Sequence, residues 1–170
     1  MSEASKNATY RLWFRFSLRY VPVTTAGHLV WETLQLPLYT IWWERGIGES
    51  AFAAGHCTVG DMLIGTTALA AAILLFGRGH APNPRGLYAP VAAAAILLGV
   101  GYTVLSEWYN TRVDGSWAYS VFMPLVPPYG TGLSPLLQWI VVPGIAFWWL
   151  RPRQAARGAE LSPSSSNETR

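Results

Sequence analysis

Polar residues that could transfer protons lie within long apolar segments of this chain. His28, Glu32 and Gln35 are spaced four and three residues apart, which places them on one face of a helix. A carboxylate at the centre of an isolated membrane helix costs about 2.5–3.5 kcal/mol on insertion scales, so such groups face a bundle interior and have partners there. Glu32, with His28 one turn before it, is therefore a candidate proton donor.

Three more polar groups lie at the ends of other apolar segments: His56, Cys57 and Asp61; Glu107 and Asn110; and Ser134 and Gln138. Each also has an explanation without chemistry. A carboxylate such as Asp61 near a helix start is stabilised by the helix dipole, and an amide such as Gln138 can link helices. Glu107 and Asn110 can lie in the membrane interface, and His56 and Cys57 at a helix start.

Four apolar segments carry these groups, and each is long enough to cross a bilayer as a helix. About 20 residues cross ~30 Å of hydrocarbon, and a backbone in lipid must satisfy its own hydrogen bonds. The predicted spans are Tyr20 to Trp43, Cys57 to Phe76, Leu87 to Trp108 and Leu133 to Leu150. The sequence therefore predicts an all-α polytopic membrane protein, a bundle of four transmembrane helices.

Composition and charge support this fold class. Hydrophobic residues make up 51% of the chain and charged residues 12%, against about a quarter charged in soluble domains. Ten Lys and Arg residues lie before the first span, between the second and third, or after the fourth, and two lie in the other loops. This bias predicts that both termini are cytoplasmic. The absence of eukaryotic retention signals favours a bacterial inner membrane.

We divide the chain into a cytoplasmic amphipathic lead-in (1–19), a transmembrane domain (20–150) and a disordered cytoplasmic tail (151–170). The segment from Gly115 to Gly132 is apolar but interrupted by three prolines, so we predict an interfacial or re-entrant loop on the outer side. The inner parts of the second and third spans, Ala68 to Phe76 and Ala89 to Leu98, are purely apolar. The polar groups should therefore converge on one cavity offset towards the outer leaflet.

The motif His28-Leu29-Val30-Trp31-Glu32 resembles the start of the EXPERA domain, the four-helix membrane unit of emopamil-binding protein and its relatives. Further points of resemblance are Asp61 early in the next helix, Glu107 at the end of the third helix followed by Asp114-Gly115, and Trp139 before Pro143-Gly144. Leu136 stands where the family has an Asn, with Gln138 nearby. The resemblance implies a catalytic pocket containing His28 and Glu32, as in the sterol isomerase of that family.

Three functions are consistent with these residues. The first is an isomerase that moves a double bond in a sterol- or isoprenoid-like lipid, with Glu32 as proton donor and His28 as its partner. Asp61 or Glu107 would accept the proton or stabilise a cationic intermediate. The residues expected to contact the substrate are Gln35, Asn110, Gln138 and Trp139, the last by cation–π interaction.

The second function is a non-catalytic lipid- or sterol-binding module, and the third is metal or haem handling by His28, Glu32, His56, Cys57 and Asp61. We expect no cofactor, and a hydrophobic lipid-like molecule and membrane lipids as partners. Cys57 is the only cysteine, which excludes an intramolecular disulfide. No basic block indicates nucleic-acid binding. Gly99 to Gly101 permit close helix contact, so a homodimer is allowed.

Overall fold

The computed structural model describes residues 3–77 and 84–151, and most of them are helical. The helices are α1 (Glu3–Gln35), α2 (Thr40–Glu44), α3 (Gly46–Phe76), α4 (Pro84–Trp108) and α5 (Leu133–Leu150). A 3₁₀ turn, Leu36–Leu38, separates α1 from α2, and a π-helical turn, Tyr109–Val113, extends α4. Two short strands, β1 (Leu125–Val126) and β2 (Thr131–Gly132), pair antiparallel between α4 and α5.

Each of the four long helices packs against two others, so that they form a ring in the order α1, α3, α4, α5. Three regions are apolar and long enough to cross a membrane: Gly46–Phe76, Tyr88–Val113 and Leu133–Leu150, with mean hydropathies of 1.9, 1.8 and 1.5. These three helices are consistent with an integral membrane protein. Helix α1 has 33 residues but is more polar and is not among them.

The helix boundaries differ from the predicted spans at the start of the chain. Helix α1 begins at Glu3 and runs through the lead-in expected to end at residue 19. It ends at Gln35 rather than continuing to Trp43. Pro37 explains this end, because proline has no N–H to donate to the helical ladder, and the chain turns there before an extended Tyr39 (φ −116°, ψ 150°).

The second and third helices are longer than predicted. Helix α3 starts at Gly46 rather than Cys57, directly after a sharp turn in which Gly46 has a positive φ of 78° that suits glycine. Helix α4 starts at Pro84 rather than Leu87, and α5 has the bounds of the predicted fourth span. The predicted tail lies outside the described residues from 152 onwards, as does the middle of the Gly/Pro loop, 78–83.

An apolar core fills the end of the bundle that contains the first half of α1. Its members are Trp13, Phe16, Tyr20, Leu69, Ala72, Val91, Ala95, Ala146 and Phe147. Small residues on α3, α4 and α5 leave room for the aromatic rings of α1. The Phe16 and Phe147 rings stack with centroids 5.4 Å apart, and the Tyr88 hydroxyl donates to the Leu150 carbonyl at 3.3 Å. The lead-in segment thus contributes directly to the core.

The proline-containing segment between α4 and α5 is attached to the break between α1 and α2. The Ser120 N–H donates to the Leu38 carbonyl at 2.9 Å, and the Thr40 N–H donates to the Ala118 carbonyl at 3.0 Å. The Ser120 hydroxyl also donates to the Pro37 carbonyl at 3.0 Å. This segment, which we call the strap (residues 114–132), therefore covers the end of the bundle opposite the apolar core.

Candidate functional site

One face of α1 supplies the centre of the site. His28, Glu32 and Gln35 lie on this face and are all buried, with His28 only 1% exposed. Their spacing of four and three residues brings them into line, as helical geometry requires. Because α3 and α5 pack on either side of α1, these side chains are directed into the bundle and meet Asp61 from α3 and Gln138 from α5.

Gln138 is the centre of a hydrogen-bond cluster that joins three helices. Its amide nitrogen lies 3.0 Å from His28 Nδ1, 3.0 Å from Glu32 Oε1 and 2.8 Å from Asp61 Oδ2. Its amide oxygen accepts from the Gln35 amide nitrogen at 3.2 Å. The Gln35 amide nitrogen also donates to Glu32 Oε1 at 3.0 Å. The cluster extends through the Ser134 hydroxyl, which donates to Gln35 Oε1 at 2.7 Å.

The Gln138 amide cannot donate to all of its close neighbours at once. The amide has two hydrogens, while Glu32 Oε1, Asp61 Oδ2 and His28 Nδ1 all lie within 3.0 Å of its nitrogen, and the role of Nδ1 depends on the imidazole tautomer. Glu32 Oε1 and Asp61 Oδ2 both lie within hydrogen-bond distance of the Gln138 amide nitrogen, at 3.0 Å and 2.8 Å, so the two carboxyl groups are close neighbours. Two neighbouring carboxylates repel each other unless one of them is protonated. This proximity favours one proton shared by the Glu32–Asp61 pair.

The carboxyl pair lies in the wall of a cavity of about 790 Å³, within the range of small-molecule sites. Its lining includes Glu32, Gln35 and Tyr39 from the first part of the chain, and Phe52, His56, Cys57, Asp61 and Ile64 from α3. It also includes Tyr102, Ser106, Glu107, Asn110 and Trp117 from α4 and the strap, and Pro135, Gln138 and Trp139 from α5. The cavity thus combines a group of carboxyl and amide side chains with apolar and aromatic walls.

Trp139 closes the cavity on the side of the apolar core. Its ring lies between α3 and α4 where both helices have glycine, since a Cβ at Gly65 would be 3.8 Å from the ring and a Cβ at Gly99 would overlap it. The His28 ring lies 4.9 Å from the Trp139 ring, at an angle of 44°. His28 does not line the cavity and contacts it through Gln138.

Glu107 is buried on α4, across the ring of helices from α1, and is held by the strap. The Tyr119 hydroxyl donates to Glu107 Oε2 and accepts from the Gly132 N–H at 2.9 Å. Burial, followed by the nearby Glu107 carboxyl, raises the pKa of Tyr119 above its ordinary value. Tyr119 therefore remains a neutral donor at physiological pH and fixes the Glu107 side chain in the cavity wall.

Tyr39 lies close to the same acidic groups at the junction of α1 and α2. Burial raises its pKa well above the ordinary value, and the charges of Glu107 and Glu32 add to this effect. Its ring lies 5.6 Å from the Tyr119 ring. Tyr39, which lines the cavity, and Tyr119 of the strap are thus neighbouring neutral phenols next to the acidic groups.

The structure brings together most of the candidate residues from the sequence. Glu32, Gln35, Asp61, Glu107, Asn110, Gln138 and Trp139 all line the one cavity, as do His56 and Cys57. His28 lies behind it. The Asn110 amide donates to the Ser106 carbonyl at 2.8 Å, so this group is partly engaged within its own helix. Sequence reasoning missed Tyr39, Trp117 and Tyr119, which lie in segments without helical periodicity.

Metal binding receives no support from the described residues, because no group of three or more His, Cys, Asp or Glu side chains there could hold a metal ion. The fold and site define a helical protein with three apolar, membrane-length helices and a buried acidic cluster in a cavity. No protein-family model, curated protein or solved structure matches the chain. The resemblance to the EXPERA domain stays a prediction.

Proposed function

We propose that this protein is a membrane enzyme that moves a double bond in a sterol- or isoprenoid-like lipid. The observation that carries the proposal is the adjacent Glu32–Asp61 pair, whose carboxyl oxygens lie 3.0 Å and 2.8 Å from one Gln138 amide nitrogen, in the wall of a cavity with apolar and aromatic surfaces. Isomerisation of an alkene needs an acid that protonates one carbon and a base that removes a proton from another. The Glu32–Asp61 pair supplies the acid and Glu107 supplies the base, from opposite sides of the cavity.

The reaction begins when Glu32 gives its proton to one alkene carbon, forming a C–H bond and a carbocation at the neighbouring carbon. Trp139 stabilises that cation with its ring face, and the negative carboxylates do so by charge. Glu107 then removes a proton from the far side, and the C–H electrons form the new double bond. One proton enters and one leaves, so no oxidant, reductant or cofactor is consumed.

The hydrogen-bond cluster gives the other residues distinct roles. Gln138 and Gln35 orient the Glu32 carboxyl through bonds of 3.0 Å each. Asp61 shares the single proton of the pair with Glu32. After each turnover Glu107 gives its proton to water and the pair takes up a proton from water, which resets the site. His28 does not line the cavity and is not hydrogen-bonded to Glu32. It lies against the Gln138 amide and acts as a positioning residue for it. Asn110 contributes a polar contact to the substrate through its free carbonyl oxygen.

The proposal includes a membrane arrangement in which α1 is a fourth transmembrane helix. Its support is that α1 packs along both α3 and α5, which are themselves apolar enough to span. Helix α1 would extend ~50 Å at 1.5 Å per residue, which exceeds the ~30 Å hydrocarbon layer and carries its first turns into the cytoplasm. Both termini are cytoplasmic, the strap lies at the outer interface, and the membrane is a bacterial inner membrane.

A second candidate is a binding module that holds the same kind of lipid without converting it. The volume and the mixed polar and apolar lining of the cavity favour such a ligand equally. The two candidates differ in what happens to protons. An isomerase adds a proton from its own carboxyl group to the lipid, and that carboxyl exchanges with water, whereas a binding module leaves the carbon-bound hydrogens unchanged.

Solvent deuterium therefore tests the proposal whichever lipid is the substrate. The purified protein is incubated with bacterial membrane lipids in D₂O, and the lipids are analysed by mass spectrometry. We expect one lipid class to gain a single deuterium with the wild type and none with Glu32→Gln. The matched control is Glu49→Gln, which alters an exposed carboxylate paired with Arg45 at the cavity rim and should retain labelling. Tight lipid retention without labelling would instead establish the binding module.

A further inference from the structure

The first half of α1 carries two parallel rows of exposed side chains that the proposed reaction does not use. One row is basic and comprises Arg11, Arg15 and Arg19. The other is apolar and comprises Tyr10, Phe14 and Leu18, which are 55%, 64% and 61% exposed. Members of each row are four residues apart, so both rows run along the same side of the helix, next to each other.

These rows are held rigidly at a defined level of the bundle. The opposite face of the same turns is buried, where Trp13 stacks on Tyr88 at 5.8 Å and Phe16 stacks on Phe147 at 5.4 Å. Since Tyr88 bonds the carbonyl of Leu150, the rows lie beside the end of α5. Arg151 is at that same end, with its guanidinium 5.6 Å from the Trp148 ring centroid.

The basic row has no acidic partner in the described part of the chain. No ion pair among residues 3–77 and 84–151 involves Arg11, Arg15 or Arg19. The three guanidinium groups repeat about every 6 Å along the helix axis, at 1.5 Å per residue, and therefore form a row about 12 Å long. Three unpaired charges of one sign so close together repel each other unless an anion lies between them.

We propose that this face, which we call the arginine row, binds anionic phospholipids of the leaflet at that end of the protein. The guanidinium groups would hold the headgroup phosphates with paired N–H donors, and the acyl chains would lie over Tyr10, Phe14 and Leu18. A basic row beside an apolar row is the pattern of helices that lie at a charged membrane surface. The adjacent apolar row favours a lipid over a soluble phosphate.

The test measures lipid selectivity in the intact protein. Detergent-solubilised protein is mixed with equal amounts of palmitoyl-oleoyl phosphatidylglycerol and phosphatidylcholine, and bound lipids are counted by native mass spectrometry. We expect the wild type to retain phosphatidylglycerol preferentially. Each arginine near an anionic surface contributes about a fivefold change in binding, so the triple variant Arg11→Gln, Arg15→Gln, Arg19→Gln should lose roughly a hundredfold.

Arg112→Gln is the matched single control for Arg15→Gln, because Arg112 is exposed in the π-helical turn at the other end of the bundle and does not line the cavity. It should leave the lipid preference unchanged, while Arg15→Gln should weaken it about fivefold. If the triple variant does not fold, the three single variants carry the same test. Equal retention of the two lipids by the wild type, or an undiminished preference in Arg15→Gln, would overturn the proposal. Addition of inorganic phosphate should not displace the lipid, and displacement would show a soluble-anion site instead.

Discussion

Replacement of Gln138 by leucine tests the hydrogen-bond cluster most directly. Gln138 is only 1% exposed and contacts four polar side chains, those of His28, Gln35, Glu32 and Asp61. Leucine has a similar size and no polar atoms, so the substitution leaves these four groups without that partner. Interhelical hydrogen bonds in membrane proteins are worth about 0.6 kcal/mol on average, and an unsatisfied buried group costs about 1–3 kcal/mol.

Loss of the hydrogen bonds to four partners lowers the free energy of unfolding, and burial of the apolar leucine side chain offsets part of this loss. We expect a net decrease of roughly 2–4 kcal/mol. Reversible unfolding in mixed micelles, followed by tryptophan fluorescence, measures it. Ser134→Ala is the control at the edge of the cluster, since it removes only the bonds to Trp31 and Gln35 and should cost about 1 kcal/mol. A Gln138→Leu variant as stable as the wild type would refute the argument that these groups depend on one amide.

Three further predictions concern the floor of the cavity and the strap. Gly99→Ala should destabilise the protein by about 1–3 kcal/mol in the same unfolding assay, because its Cβ would overlap the Trp139 ring, whereas Gly101→Ala meets no atom within 4 Å and should be neutral or slightly stabilising. Cys57 is the only thiol and lines the cavity, so Tyr119→Phe, which removes the strap's bond to the acidic wall, should increase the rate of maleimide labelling several-fold. The raised pKa of Tyr119 predicts that stability is complete below the unfolded pKa of about 10 and falls as pH rises above it, because the unfolded chain loses the proton first.

One matched variant distinguishes these effects from a general loss of order in the strap. Tyr129 belongs to the same strap but is 61% exposed, so Tyr129→Phe should alter neither the labelling rate nor the alkaline unfolding curve. If it changes them as much as Tyr119→Phe does, the hydrogen bond to Glu107 is not their cause. Similarly, equal costs for the two glycine variants would contradict the close approach of Trp139.

Helical periodicity was sufficient to predict the centre of the site. The spacing of His28, Glu32 and Gln35 places them on one face, and the predicted topology directs Asp61 and Gln138, in the outer half, towards the same cavity as this mid-depth group. These inferences do not depend on the structure of the loops. They depend only on the rule that polar side chains in lipid must face one another.

The strap and the ends of the helices could not be predicted in this way. The contact of Tyr119 with Glu107 depends on backbone hydrogen bonds from the strap to Leu38 and Thr40, which leave no pattern in the sequence. The first turns of α3 contain Gly46 and Gly48, residues that disfavour helices, yet they are helical beside α2. His28 shares a helical face with Glu32, but periodicity does not reveal that Gln138 separates it from the cavity.

Trp139 closes the cavity on the side of the apolar core, and this has a consequence for proton movement through the protein. Beneath the ring lie the tightly packed aromatic and alanine side chains of the core, a medium of low dielectric constant that neither water nor hydronium readily enters. Protons of the acidic cluster should accordingly equilibrate with one aqueous compartment alone. In the proposed membrane arrangement, three carboxylic acids could therefore lie within the bilayer without short-circuiting the electrochemical gradient across it.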